Sequence, residues 1–276
     1  MAIVTRCLLL AFLAYALSAQ SLELYSEFQR PDPFGNIVKI DRAETPREIL
    51  SPAVARGAHA SFHLAVSVPI GENYFLYVAS NPEDACAVRL YREHFTKSGA
   101  EWIPDSLQEV RTLPDFGVMP EPAAVVPGQT TRVYLLDLAI PPDAKSGRFR
   151  VEAQLKVGTW IVRPLEIRVT PAQIPTLPAG AAATPRVPAV EEGADASAVS
   201  LLTSYFSGRF SPAPIEPHTV REIILRDVMQ DLALAGPFDP AKPAVRRLWE
   251  SRGPRAETGA EWYLKIRDYL YSAVTP

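Results

Sequence analysis

His59 and His63 stand four residues apart, the spacing that places two metal ligands on one face of a helix. Here they fall in an alternating stretch in which Phe62, Leu64, Val66 and Val68 interleave with His63, Ala65 and Ser67, so they lie in or beside a strand. Four residues of strand hold the rings about 13 Å apart. One zinc binds each ligand at about 2 Å, so the pair reads as two histidines on the solvent face of a sheet. His94 and His218 have no Cys or His near them in sequence. Nucleophilic catalysis is no better provided for: Gly-x-Ser-x-Gly is absent, and Cys86 sits in Asp84-Ala85-Cys86-Ala87 without a local histidine, as a buried structural thiol would. Asp115-Phe116-Gly117 spells a kinase triplet, but no phosphate loop accompanies it and Pro114 to Gly117 reads as a turn. The sequence therefore points to no catalytic, cofactor-binding or metal-ligating residue. Acid pairs can be assembled from any of its 31 carboxylates, most of which fall on outward strand positions or mixed helix faces, where a solvated surface is expected.

The one stretch with ligand-binding character is the excursion from Thr96 to Gln129, which shows little alternation and carries Trp102, Asp105, Asp115 and Phe116. Loops of that length in compact domains are commonly functional or disordered. Trp102 and Phe116 would offer an aromatic surface to a sugar ring, and Asp105 and Asp115 would accept its hydroxyl hydrogen bonds. The competing reading, favoured by the usual place of aromatics in a sandwich, makes Trp102-Ile103 a further short strand and the aromatics an end-closing part of the core.

The elements that must position these residues are mainly strands. Tyr134, Leu136, Leu138 and Ile140 share one face, as do Phe149, Val151, Ala153, Leu155 and Val157 opposite Arg148, Arg150, Glu152, Gln154 and Lys156. Leu165, Ile167 and Val169 repeat the pattern with Glu166 and Arg168 outward, as in a half-buried antiparallel sheet. Phe62 to Val68 and Tyr74 to Val78 flank Pro69-Ile70-Gly71-Glu72-Asn73 as a hairpin would. Leu22 to Phe28, Ile37 to Ile40 and Ala87 to Tyr91 are further strands. The expectation is an immunoglobulin-like antiparallel β-sandwich over 22–172, without the Cys-Trp-Cys core of antibody domains. A Pro/Ala-rich linker comes next over 173–194, then an α-helical region over 195–276. There Val220, Ile223, Ile224, Val228 and Leu232 form one helical stripe ended by Gly236-Pro237. Asp239-Pro240 opens a second helix toward Trp249, a third carries Trp262, Ile266, Tyr269 and Leu270, and a shorter one covers Ser197 to Phe206.

Residues 1–19 read as a secretory signal peptide: Arg6, an apolar run from Cys7 to Leu17, and Ala16 and Ser18 spaced for cleavage. Export to the periplasm or medium is expected. Cleavage leaves Cys86 alone, without an intramolecular disulfide, and takes the net charge from −3 to −4 by loss of Arg6. Nucleic acid is not the expected partner of a mildly acidic exported chain, and no later apolar run is long enough to span a membrane.

Pro127-Gly128-Gln129-Thr130-Thr131, the strand from Val133 to Ile140, the turn Pro141-Pro142-Asp143-Ala144-Lys145-Ser146-Gly147, and the exit Val169-Thr170-Pro171 with Ile174-Pro175 together resemble one known arrangement. It is the sandwich that precedes the catalytic barrel in secreted glycosidases of the N-acetylgalactosaminidase type. Those enzymes use an adjacent Asp-Glu pair on the barrel. This chain has no Asp-Glu dipeptide, and the segment after the sandwich is far shorter than the roughly 250 residues of a barrel. The resemblance thus implies an accessory module from a carbohydrate-active setting. The functional expectation is an exported, non-catalytic binding or accessory protein that recognises a polysaccharide or an envelope protein through sandwich loops. Two alternatives stand beside it: a carbohydrate hydrolase with an acid pair at the sandwich-helix cleft, and a periplasmic assembly factor that offers a sheet edge.

Overall fold

A computed structural model describes residues 20–39, 51–122, 126–174 and 218–235, together with Leu202 and Tyr205. The expected signal peptide, nearly all of the expected linker and the expected second and third helices lie outside the described residues. So does the 197–206 helix, apart from Leu202 and Tyr205, which are helical and buried.

The described chain is mainly β. One sheet has the strand order β1 (Ser21–Ser26), β3 (His59–Ser67), β8 (Thr131–Ala139), β5 (Ala87–Ser98), β6 (Glu101–Glu109). The other runs β2 (Ala53–Arg56), β10 (Thr159–Gln173), β9 (Gly147–Val157), β4 (Asn73–Asn81), β7 (Asp115–Val118). Every pairing is antiparallel except β10 with β2, which is parallel. The alternation anticipated in β8, β9 and β10 supplies the inner faces: Tyr134, Leu136 and Leu138 meet Val151, Ala153, Leu155, Leu165 and Ile167 in one core shared by both sheets. The outward set Arg148, Arg150 and Lys156 is exposed.

Several expectations are corrected. Over Ile37 to Lys39 there is no strand, Ile37 making an isolated bridge with Pro31. The stretches around Phe62 and Tyr74 do not form a hairpin: β3 and β4 belong to different sheets, and the turn between them passes from one to the other, with Gly71 N–H donating to Met119 O at 2.7 Å. The excursion from Thr96 to Gln129 holds two strands, β6 and β7. And β3 and β8 are buried on both faces, because α1 (Val220–Ala235) lies against the outer face of their sheet.

α1 opens with a capping box: Glu222 N–H donates to Thr219 Oγ1 at 3.2 Å and Thr219 N–H to Glu222 Oε2 at 2.9 Å. Its stripe Val220, Ile223, Ile224, Val228 and Leu232 is buried, and so are Arg221, Arg226, Asp227 and Asp231. The sheet edges are short or covered. β2 and β7 have four residues each, Arg163 Nε donates to Leu22 O of β1 at 2.8 Å, and Leu107 N–H of β6 donates to His218 O at 3.0 Å.

Candidate ligand-binding face

The structure distributes the four candidate residues over two sheets. Asp115, 4 % exposed, points inward from β7. Its carboxylate accepts hydrogen bonds from Tyr134 Oη at 2.7 Å and Arg92 Nε at 3.1 Å, and Tyr134 Oη also lies 2.7 Å from Tyr74 Oη. Burial holds both phenols above their ordinary pKa, and the hydrogen bond to Asp115 raises that of Arg92. This chain of groups is an internal strut. Asp105 pairs with Arg221 at 2.7 Å and ties α1 to β6. Trp102 is partly buried on β6 with the Lys97 ammonium 5.8 Å from its ring centre. Phe116 faces the opposite way from Asp115 and is 70 % exposed.

Phe116 is the end of a row. In register across the second sheet, Phe116 of β7 pairs with Phe75 of β4, Phe75 with Lys156 of β9, and Lys156 with Trp160 of β10. The neighbouring rung is Tyr77, Gln154 and Val162. All seven lie on the face away from the core. The Phe75 ring centre is 5.8 Å from that of Phe116 and 5.3 Å from that of Trp160, the latter edge-on, and the Lys156 ammonium sits 5.2 Å from the Trp160 ring centre. Trp160 is 51 % and Val162 43 % exposed. Phe116, Trp160 and Val162 thus expose apolar side chains on a sheet face where polar ones are expected.

Two local devices present it. The β9–β10 hairpin turns at Gly158, whose φ of +69° suits glycine, and places Trp160 beside Lys156. Gly117 lets β7 close over the Tyr74 ring: a Cβ there would lie 2.4 Å from Tyr74 Oη. With the Asp115–Arg92–Tyr134 strut behind it, this fixes β7 and so the direction of Phe116. Sequence reasoning finds Phe116 and misses Phe75, Tyr77, Trp160 and Val162. The available signal is parity: Trp160 and Val162 share the outward set of Glu166 and Arg168, so an aromatic and a branched apolar side chain stand where polar ones are expected.

The polar residues beneath α1 have catalytic types in a structural arrangement. His63 is wholly buried, which corrects the solvent-face expectation for it. Its Nδ1 lies 2.6 Å from Glu93 Oε1 and its Nε2 3.1 Å from Glu27 O. Burial opposes protonation of this ring, but the charge and hydrogen bond of Glu93 prevail and its pKa is raised. His59 is three-quarters buried, with Nδ1 3.0 Å from Asp137. Arg226 makes bidentate contact with Asp137, at 2.9 and 3.1 Å, and its Nε donates to Asp227 at 3.0 Å. Ser61 Oγ donates to Asp227 at 2.9 Å, so Ser61, His59 and Asp137 are not linked as nucleophile, base and orienter. Burial works against ionisation of Asp137, yet His59 and Arg226 hold it down at about 2, whereas burial pushes Asp227 up to about 6. These two acids at the sandwich-helix junction share one guanidinium and are buried. Among the described residues no three His, Cys, Asp or Glu side chains converge as metal ligands do.

No protein-family model and no curated protein matches the chain. Among solved structures it is similar to a family 123 glycoside hydrolase from Clostridium perfringens, described for glycolipid glycan hydrolysis, at 9% identity over 57% of this chain and 28% of that one, TM-score 0.37. It is also similar to a DUF4466 family protein from Parabacteroides merdae (13% identity, 55% and 45% covered, TM-score 0.31). A third is the C-terminal domain of the Streptococcus agalactiae AgI/II polypeptide BspA (9% identity, 55% and 50% covered, TM-score 0.28). The chain spans half or less of each of these proteins.

Proposed function

We propose that this chain is an exported, non-catalytic binding or accessory module, an immunoglobulin-like sandwich that holds a glycan against the outer face of its second sheet. The observation that carries the reading is the exposed row Phe116–Phe75–Lys156–Trp160. Aromatic rings present a flat apolar surface with a negative face, to which the polarised C–H groups of a sugar ring are complementary. Tyr77 and Gln154 on the next rung supply a hydroxyl and an amide to the sugar's hydroxyls. Ring centres 5.8 Å and 5.3 Å apart along the row give the three aromatics a footprint larger than one pyranose ring. The sequence resemblance to the sandwich of secreted N-acetylgalactosaminidase-type glycosidases agrees with a carbohydrate setting.

The site moves from the sandwich loops to a sheet face, because only Phe116 of the four candidates faces outward among other exposed aromatics. Neither alternative gains a comparable observation: the acids at the sandwich-helix junction are buried under α1, and the edges of the described sheets are short or covered. Co-sedimentation with plant, chitin-like and bacterial envelope polysaccharides tests the proposal. One polymer is expected to retain the chain and to lose Trp160→Ala and Phe116→Ala variants that melt at the parental temperature. Retention unchanged in both variants would remove the aromatic face from the account.

A further inference from the structure

The aromatic rung contains one charge, a cation unpaired among the described residues, on an acidic chain. Across β4, β7, β9 and the Trp160–Arg168 stretch of β10, the outward positions include Lys156, Arg150, Arg148 and Arg168 against Glu152 and Glu166, four basic to two acidic. The whole chain carries a formal charge of −3. Beyond the Gln154 rung the charges are Glu152, then Arg150 with Glu166, then Arg148 with Arg168, and the acids are paired: Glu166 with Arg148 at 3.0 Å and Glu152 with Arg150 at 3.8 Å. Lys156 is exposed and forms no ion pair with a described carboxylate. Its ammonium is held over the Trp160 ring, inside the footprint of anything stacked on Phe75 and Trp160.

A neutral sugar on those rings would cover a strongly hydrated ammonium and return only ordinary hydroxyl hydrogen bonds. A sugar with a carboxylate or sulfate would return a charge-assisted bond while its ring stacked on the aromatics. We infer that the face selects an acidic polysaccharide, with Lys156 as the group that reads the anion between the Phe75 and Trp160 rings. This rests on the glycan reading above and narrows it to a chemical class.

Affinity electrophoresis of the whole chain separates the two claims. The gels contain polygalacturonate or alginate for carboxylate, carrageenan for sulfate, and xyloglucan or laminarin as neutral polymers. Retardation by an acidic polymer at least about tenfold stronger than by the neutral ones is expected. Lys156→Gln should abolish that preference, Lys156→Arg should keep it, and Trp160→Ala should lose retention by every polymer. Whether carboxylate or sulfate gels retard more identifies the anion. Equal retardation by neutral and acidic polymers, lost in Trp160→Ala but unchanged in Lys156→Gln, would overturn the acidic preference and leave the glycan reading standing. No retardation by any polymer would overturn both. A single-stranded oligonucleotide held as tightly as the best polysaccharide would overturn the assignment to glycans, since stacked aromatics with a cation also suit exposed bases.

Discussion

Arg226 ties α1 to β3 and β8 through a buried polar cluster, and its removal has a consequence that changes with pH. Its guanidinium is the shared partner of Asp137, Asp227 and Ser61, and all three are buried. Arg226→Met keeps an apolar stem of similar volume and leaves two buried carboxylates without their cation. Breaking a buried pair from one side costs about 3–5 kcal/mol, and at about 2–4 °C per kcal/mol for a chain of this size the midpoint should fall by roughly 6–20 °C near pH 7. The sign of the pH effect comes from the state that is penalised. Loss of the Arg226 charge raises the folded-state pKa of both acids, of Asp227 from its parental value of about 6 and of Asp137 against the remaining pull of His59, so the deficit is present in full at high pH and shrinks as Asp227 protonates. Thermal and urea unfolding of parent and variant at pH 7.5 and pH 5 reads this directly. The triple variant with Asp137→Asn and Asp227→Asn should recover most of the loss at pH 7.5. A deficit under about 1 kcal/mol near pH 7, or one of equal size at both pH values, would refute this reasoning.

The parent chain has its own pH profile. Asp137, held at about 2, contributes stability above pH 3.8 that is lost as pH falls toward 2. His63, raised above 6.5, contributes stability below that value that is lost as pH rises through its folded pKa. Asp227, raised to about 6, costs stability progressively as pH rises from 3.8 to about 6 and by its full amount above that. Melting temperature should therefore peak near about pH 4 and decline above it, and a steady rise from pH 5 to 8 would contradict these assignments. Gly117→Ala drives a Cβ into the Tyr74 ring and should cost about 1–3 kcal/mol in denaturant titration. It should also weaken glycan retention, because β7 carries Phe116. Cys86, buried and pushed up to about 11, should react with a thiol reagent at neutral pH only as fast as the chain opens, so immediate stoichiometric labelling of the native protein would place the thiol outside the core.

The parts of the fold legible in the sequence are those where one face is core and the other water. β9 is the clearest, with Phe149, Val151, Ala153 and Leu155 inward and Arg148, Arg150 and Lys156 outward. β3 misleads because His59, Ser61 and His63 look like a wet face, whereas His59 and Ser61 meet Arg226, Asp227 and Gln230 of a helix far along the chain and His63 meets Glu93. Burial by a distant polar partner leaves no periodic trace. β7 is hidden because its inward positions are Asp115 and Gly117 and its outward ones Phe116 and Val118, an inversion of the usual alternation that the Arg92–Tyr134 strut and the Tyr74 ring make possible. β6 is hidden because adjacent Ile103 and Pro104 are both buried and β5 shifts register opposite them. The aromatic row is half visible: Phe116 stands out by composition, while Phe75 and Trp160 become its neighbours only through pairings between strands far apart in sequence.

The central claim is that ligand lies on the outer face of the second sheet. Oxidation of tryptophan indoles with and without a retained polysaccharide, mapped by mass spectrometry of peptides, tests it most directly, because Trp160 is half exposed on that face and Trp102 lies in the other sheet. The account predicts that saturating polysaccharide protects Trp160 and leaves the rate at Trp102 unchanged. Protection of Trp102 with Trp160 still oxidised at its free rate would contradict it and return the binding surface to β6.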